Sequence, residues 1–283
     1  MMHCTLWPGF KLNAKRIRAT AMVSLLFLAS SVTKGQISFT PGSNTISIDF
    51  SNTTPASVGT NTGTAFTAAG FSPNPTNAQA GRLNSNAWSV RGISDGTLNF
   101  GGTSTSGDAA RGSFATSQSV GGVYAYVGTP ATTTNPMMMI QPAADDFTPG
   151  SLVLRFRNDD PVLPITAVQL TYDVWVRNDA GRSQTIRINR SIDDVNYTNE
   201  PAFDYNTPEA ISGSTVVSAG TFSQNMTDFD VPATYFGYIQ WAIDDDTTGS
   251  GNRDEIVLDN IQITVTYGPP CTPPDPCRCR SRR

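Results

Sequence analysis

The sequence predicts an all-β fold, a two-sheet antiparallel β-sandwich that is jelly-roll-like, and three observations support this prediction. Apolar and polar residues alternate with a period of two in several segments, and helical periodicity is almost absent after residue 36. The connections between these segments are rich in Gly, Ser, Thr, Asn and Pro. About eight to ten such strands are typical of sandwiches. A barrel or a propeller is the alternative, and the lack of an internal repeat counts against a propeller.

The clearest predicted strand is 167–177, which has one apolar and one polar face. The apolar face comprises Val168, Leu170, Tyr172, Val174 and Val176. The polar face comprises Gln169, Thr171, Asp173, Trp175 and Arg177. The other segments with this alternation are 45–50, 151–157, 185–190, 235–243 and 255–267. Shorter strands are predicted at 88–90 and 120–128, and long loops at 51–86 and 101–118.

The two ends of the chain differ from this body, which we place at 36–268. Residues 1–35 resemble a secretory signal peptide, because the basic residues Lys11 to Arg18 precede an apolar stretch at 21–32. A membrane span needs about 20 apolar residues, so we expect export and no membrane insertion of the mature chain. Residues 269–283 form a Pro-rich linker and an Arg/Cys-rich stub. This stub is either a short basic tail or the truncated end of a longer chain with further domains.

The composition of the body excludes much chemistry. Between Gln36 and Tyr267 there is no histidine, lysine or cysteine. Histidine-based triads, lysine Schiff bases, thiolate nucleophiles and structural zinc sites are therefore excluded. The same stretch carries 22 acidic and 10 basic residues, a net charge of −12. We therefore do not expect nucleic acid or an anionic membrane as a partner.

Four segments, occurring in a fixed order, resemble a β-sandwich module of secreted multidomain bacterial proteins. They are 86–90 (NAWSV), 107–112 (GDAARG), 172–182 (YDVWVRNDAGR) and 253–261 (RDEIVLDNI). The final Leu-Asp-Asn-Ile segment is also similar to the last strand of many jelly-roll carbohydrate-binding modules. The resemblance covers 36–267 and implies a non-catalytic module, without indicating its ligand.

A structural calcium site is predicted around Asp259. The alternation places Asp259 on the apolar face of its strand with Val257 and Ile261, and a buried carboxylate needs a partner. Jelly-roll binding modules often carry a structural calcium at this place, and calcium takes about 6–8 oxygen ligands. The alternatives are an Asp–Arg pair or backbone hydrogen bonds. The other candidate ligands are Asp244, Asp246, Asp254 and Glu255.

A sugar-binding surface is predicted on the polar face of 167–177. Trp175 is the best candidate for stacking on a pyranose ring, with Asp173 and Arg177 beside it. The arginines 111, 177, 182 and 253 each lie near an aspartate, and we expect these pairs to fix loops; the alternative is a bidentate grip on a carboxylated or hydroxylated sugar. Weaker platform candidates are Trp88, Tyr124, Tyr126 and Tyr238, whereas Trp241 is predicted to lie in the core.

Three functions are compatible with these features. The first is a secreted binding module for extracellular polysaccharide or cell-surface glycan. The second is a structural or adhesive surface component without a small ligand. The third and least favoured is a glycosidase, the only chemistry that the residue set allows, which needs two suitably spaced carboxyl groups. The paired-glutamate pattern of jelly-roll glycanases is absent, so we expect no catalytic residues.

Overall fold

The computed structural model describes residues 37–51, 64–73, 80–246 and 249–270, and the predicted signal peptide and most of the C-terminal stub lie outside these ranges. The described residues form sixteen strands and two short 3-10 turns, Gly107–Ala109 and Pro201–Phe203. Within these ranges, no helix combines the length and the apolar character needed to cross a bilayer. The predicted all-β sandwich is confirmed, with more strands than the sequence indicated.

Sheet I contains seven strands and has β9, β15 and β11 at its centre. Its short strands β1 and β5 both pair with β9, while β12 and β13 both pair with β11. The strands are β1 (Ile37–Phe39), β5 (Trp88–Arg91), β9 (Gly150–Asn158), β11 (Gln184–Ser191), β12 (Thr198–Asn199), β13 (Tyr205–Asn206) and β15 (Phe236–Asp245).

Sheet II also contains seven strands, in the order β14-β10-β16-β8-β7-β6, and β2 pairs with the other end of β16. The strands are β2 (Thr45–Ile48), β6 (Ser113–Phe114), β7 (Gly122–Tyr126), β8 (Met137–Gln141), β10 (Ile165–Arg177), β14 (Val216–Met226) and β16 (Glu255–Tyr267). A separate parallel pair comprises β3 (Phe71–Ser72) and β4 (Leu83–Asn84).

The core lies between the inner faces of the two sheets. The predicted apolar face of β10 is buried there, from Val168 to Val176. Trp241 of β15 is fully buried, as predicted, with its ring centroid 6.0 Å from that of Trp88 and 5.7 Å from that of Tyr172. Burying such large side chains supplies most of the stabilisation that a domain without disulfides in its body requires.

A β-bulge in β16 overturns one predicted face assignment. Ile256 and Leu258 face the core before the bulge, and Ile261 faces it afterwards. The pairing with β10 shifts by one residue between Thr171 and Asp173, and Asn260 adopts a positive φ of 49°. A one-residue slip moves side chains to the other face of a sheet. Asp259 therefore lies on the outer face of sheet II, opposite Asp173, and its predicted place on the core side is wrong.

Strand β14 was not predicted from the sequence. Only its terminal residues, Val216 and Met226, are buried, and the residues between them are small, polar or exposed apart from the half-buried Phe222, which packs against the core. Alternation of apolar and polar residues is therefore too weak to indicate a strand. Its position is nevertheless fixed by pairing with β10 over almost the whole of both strands.

Candidate functional site

The predicted sugar platform around Trp175 is largely covered. Trp175 is half-buried and packs against a small outer cluster that includes Tyr124, Tyr126 and Val257. Arg177 is only 3% exposed, and its Nη2 donates to the Ala115 carbonyl at 3.3 Å. Arg177 therefore presents no guanidinium to solvent, and the three predicted residues do not form one exposed surface.

Asp173, the third predicted platform residue, is held by its neighbours. Thr221 Oγ1 donates to one carboxylate oxygen, and Asn260 Nδ2 donates to the other at 2.8 Å. Asp259, beside it, is 2% exposed, and its Oδ1 has no hydrogen-bond partner among the described residues. Burial, helped by the nearby charges of Asp49 and Asp173 and opposed by a hydrogen bond from the Asn260 backbone, raises the pKa of Asp259 to about 7.

Two other predicted calcium ligands, Asp254 and Glu255, are fully buried but contact different loops. Asp254 accepts hydrogen bonds from Thr207 Oγ1 at 2.7 Å and from the Ala180 amide at 3.4 Å. Glu255 accepts one from the Gln118 amide at 2.7 Å. Burial raises the pKa of Asp254 to about 6 and that of Glu255 to about 7. Two carboxyl groups that are buried apart do not present a shared acid–base pair to a substrate.

The five predicted calcium ligands do not fit one calcium ion. Asp244 is exposed at the end of β15, and Asp246 is half-buried just beyond it. Asp259 lies four residues along β16 from Glu255, a distance of roughly 13 Å in an extended strand. In the part of the chain that the structure describes, no group of three or more Asp, Glu, His or Cys side chains is arranged to hold a metal.

The predicted arginine–aspartate pairs are formed only in part. Arg111 pairs with Asp108, as predicted from their spacing. Arg253 instead makes two hydrogen bonds to Asp245, at 2.6 and 2.7 Å, and Arg182 contacts the same carboxylate at 3.2 Å. These two arginines tie the start of β11 and the approach to β16 to the end of β15, which is the loop-fixing role expected from the sequence.

A row of amides crosses the outer face of sheet I, and sequence reasoning missed it. Asn199 Nδ2 donates to Asn189 Oδ1 at 3.3 Å, and Asn189 Nδ2 donates to Gln240 Oε1 at 2.8 Å. Gln240 Nε2 then donates to Ser151 Oγ at 3.2 Å. These four residues, which we call the amide ladder, lie on β12, β11, β15 and β9. Because each donor points the same way, the hydrogen bonds polarise one another and hold the side chains in place.

A shallow groove of about 390 Å³ runs beside the amide ladder. Arg187 lies in the groove and is fixed by Asn206 Oδ1 at 2.9 Å and by the Asp204 carboxylate at 3.3 Å. Ala242 contributes a small apolar side chain, and the exposed Asp244 lies at one end. The full lining is Pro149, Gly150, Thr185, Arg187, Asn189, Asn199, Ala242, Ile243 and Asp244.

Beyond the ladder, the same face of sheet I carries an arginine–aromatic cluster. The guanidinium carbon of Arg155 lies 4.3 Å from the centroid of Phe100 and 4.6 Å from that of Phe236. The loop that follows β11 is anchored by Asp194, whose two oxygens lie 2.6 Å from Arg91 Nη2. Tyr238 is 9% exposed, and the other weak platform candidates are 2% exposed or less, so none offers an open ring.

A second cleft, of about 300 Å³, lies at one end of the sandwich. It is lined only by polar and charged residues, namely Ser117, Gln118, Ser119, Asp179, Asn252 and Arg253. It lacks an apolar surface on which a sugar ring or another apolar group could pack. The groove of sheet I is therefore the stronger candidate site.

A signal for the groove was present in the sequence. The alternation of 185–190 places Thr185, Arg187 and Asn189 on one polar face, two residues apart. The pairing of β11 with β15, which brings Asn189 opposite Gln240, is a long-range contact that alternation alone does not specify.

No protein-family model and no curated protein matches this chain. Solved structures that it resembles include the CBM22-1–GH10 modules of a Clostridium thermocellum endo-1,4-β-D-xylanase complexed with xylohexaose, at 14% identity and a TM-score of 0.31. That match covers 65% of this chain, which spans only 27% of the other. A second is the N-terminal cellulose-binding domain of a Cellulomonas fimi β-1,4-glucanase, at 15% identity, 64% and 89% coverage and a TM-score of 0.30.

A third similar structure is the K3 cleaved adhesin domain of Lys-gingipain from Porphyromonas gingivalis. It is 13% identical, and the match covers 49% of this chain and 79% of that one with a TM-score of 0.30. The fold assignment of this chain rests on its own strands and sheets.

Proposed function

We propose that this chain is a non-catalytic module that binds an extracellular polysaccharide or surface glycan in the groove of sheet I. The observation that carries the proposal is the amide ladder, which crosses four strands beside the groove. Amide side chains both donate and accept hydrogen bonds, as sugar hydroxyls do. A row of them held in fixed positions suits a chain of repeated hydroxyl groups.

The groove combines this polar row with positioned and small side chains. Arg187 is oriented by Asp204 and Asn206, so little side-chain entropy is lost when it binds a hydroxyl group. Ala242 and Gly150 leave room for the apolar face of a sugar ring to approach the sheet. The groove is shallow, which is compatible with an extended polymer that passes through it.

The charge of the molecule favours a neutral polymer. The body carries a net charge of −12, and the carboxylate of Asp244 lies at the groove. A polyanion would be repelled by both. An extracellular location is part of the proposal, and it is supported by the basic and then apolar character of residues 11–32.

The test is affinity electrophoresis of the chain through gels that contain xylan, mixed-linkage glucan, galactan or an acidic pectin, with and without a chelator. We expect retardation by a neutral polymer, and loss of retardation in the double variant Asn189→Ala, Gln240→Ala. Gln262→Ala removes an exposed amide from the outer face of sheet II and serves as the matched control. No retardation by any polymer, or equal retardation of the double variant and the control, would contradict the proposal.

A structural or adhesive surface component is the second candidate function. It is favoured by the outer face of sheet II, which presents a grid of uncharged hydroxyl and amide groups on four neighbouring strands. Thr45 bonds to Thr264 at 2.9 Å, and Thr171 bonds to Ser223 at 2.7 Å. A chain that is retained by no polysaccharide would favour this candidate.

A further inference from the structure

One edge of sheet II differs from every other sheet edge in the described residues. The strands that end the sheets elsewhere are β1, β2, β5, β6, β12 and β13, and each contains between two and four residues. Strand β14 contains 11 residues and pairs only with β10. Short edge strands are one means by which proteins prevent pairing with other chains, and β14 lacks this protection.

The composition of β14 lacks two further protections. From Val216 to Met226 the strand contains no charged residue and no proline. Lysine and proline are the residues that most often prevent an edge from pairing. On the side away from β10, the described residues supply no backbone hydrogen-bond partner to this strand. Within the described part of the chain, the edge therefore presents a row of backbone donors and acceptors without partners.

A bulge in β14 divides the strand, and the longer part, which follows the bulge, pairs with β10 without interruption. The register with β10 shifts next to Ala219, and Gly220 has a φ of 130°. The pairing from Thr221 to Met226 is uninterrupted, and it aligns Ser223 with Thr171 of β10. Thr221, Ser223 and Asn225 alternate onto the outer face of the sheet, where all three are exposed.

We propose that β14 joins two copies of this chain into a dimer, by antiparallel pairing of residues 221–225 centred on Ser223. An antiparallel pair of identical strands obeys a twofold axis, so Ser223 faces its own copy and Thr221 faces Asn225. These are hydroxyl–hydroxyl and hydroxyl–amide pairs, and no like charges oppose each other within the pairing segment. A charged or apolar partner strand would find no complementary residues at these exposed positions, which favours a second copy.

The dimer is expected to become tighter as the salt concentration rises. Each body carries a net charge of −12, and the two copies repel each other. The pairing segment itself is uncharged, so screening removes the repulsion without weakening the contact. Interfaces held together by ion pairs respond to salt in the opposite sense, which distinguishes them from this one.

Sedimentation velocity of the full chain over micromolar to submillimolar concentrations tests the proposal at low and high salt. We expect a monomer–dimer equilibrium that high salt shifts toward the dimer. Ser223→Lys places two ammonium groups face to face at the twofold axis, and we expect it to weaken dimerisation by roughly tenfold or more. Gln262→Lys adds the same charge to the same face, two strands from the edge, and should dimerise like the wild type.

A second edge variant guards against a folding defect, because Ser223 also contacts Thr171 and Gln169. Asn225→Lys changes an exposed residue opposite the partner's Thr221 and should also weaken the dimer. Circular dichroism melting checks that each variant folds. A wild-type chain that stays monomeric at every concentration and salt level would overturn the proposal. So would folded Ser223→Lys and Asn225→Lys variants that dimerise like the wild type.

Discussion

The outer faces of sheet I and sheet II differ in how their polar side chains are paired. On sheet I, ion pairs fix the face together with the uncharged amide ladder: Arg91 pairs with Asp194, and Arg187 pairs with Asp204. On sheet II, the pairs are uncharged hydroxyls and amides, such as Gln262 with Ser47 at 3.3 Å. The three acids in the strands of sheet II, Asp173, Glu255 and Asp259, form no ion pair with an arginine among the described residues.

This difference shows that two faces with the same alternation can have different physical properties. Sheet I holds its polar groups in place by ion pairs and by the amide ladder, so they are positioned for a ligand. Sheet II keeps Asp259 buried and without a cationic partner, so its charge state depends on pH. We therefore expect ligand binding to depend on sheet I and the pH response of stability to depend on sheet II.

The largest expected effect is the loss of stability when a tryptophan is removed, and it should be larger for the inner face of a sheet than for the outer face. Trp241→Ala should cost about 3–5 kcal/mol, because it removes a fully buried ring that contacts Trp88 and Tyr172. Trp175→Ala, on the outer face of sheet II, should cost roughly half as much, because Trp175 is only half-buried. Urea unfolding of both variants measures the two costs. Equal losses would contradict the assignment of Trp175 to a covering cluster outside the core.

The second expected effect concerns pH and the carboxyl of Asp259. Its folded pKa, about 7, lies above the ordinary value of 3.8, so between these pH values the folded state holds a proton that the unfolded state has released. The free energy of unfolding therefore falls as pH rises through this window, by up to about 4 kcal/mol from this group. Glu255, with a pKa of about 7, and Asp254, with a pKa of about 6, act in the same direction.

Asp259→Asn isolates this contribution, because the amide has nearly the same shape and does not titrate. We expect this variant to be more stable than the wild type at pH 8, and its stability to fall less steeply with rising pH. Urea unfolding at a series of pH values between about 4 and 8 provides the measurement. Parallel stability profiles for the two proteins would show that Asp259 is not the group responsible.

The smallest expected effect lies on sheet I. Asp194→Asn weakens the ion pair with Arg91, and both side chains are about a quarter exposed, 24% and 28% respectively. Solvent screens such a pair, so we expect a loss of about 1 kcal/mol or less. Amide hydrogen exchange in the loop after β11 should become faster, while the free energy of global unfolding changes little. Unchanged exchange in this loop would show that the pair does not anchor it.

The sequence contained enough information for the core but not for the surface. The alternation in β10 predicted its buried residues, because successive side chains of a strand with one buried face point in turn to the core and to the outside. The same argument failed in β16 because of the bulge at Asn260: one extra residue reverses the face to which each later side chain of the strand points. β14 was missed because a strand that is mostly exposed on both faces has no apolar period.

The candidate site was harder to predict, because it depends on which strands become neighbours. Asn189 and Gln240 are 51 residues apart in the sequence and meet only when β11 pairs with β15. Arg177 lies on a polar face, as the alternation indicates, yet the segment around Ala115 covers it. Coverage by a loop is a tertiary property, and no local pattern within 167–177 encodes it.

The unprotected edge of sheet II bears on how strongly the module could hold a polymer. The twofold axis that relates two antiparallel strands of one sheet is perpendicular to that sheet. Two copies joined through β14 would therefore turn both of their grooves toward the same side. Two shallow sites on one rigid assembly can bind a single polysaccharide chain, or neighbouring chains of a fibre, with an avidity that neither site reaches alone. Weak binding by each groove would then be compatible with firm attachment to an insoluble polymer.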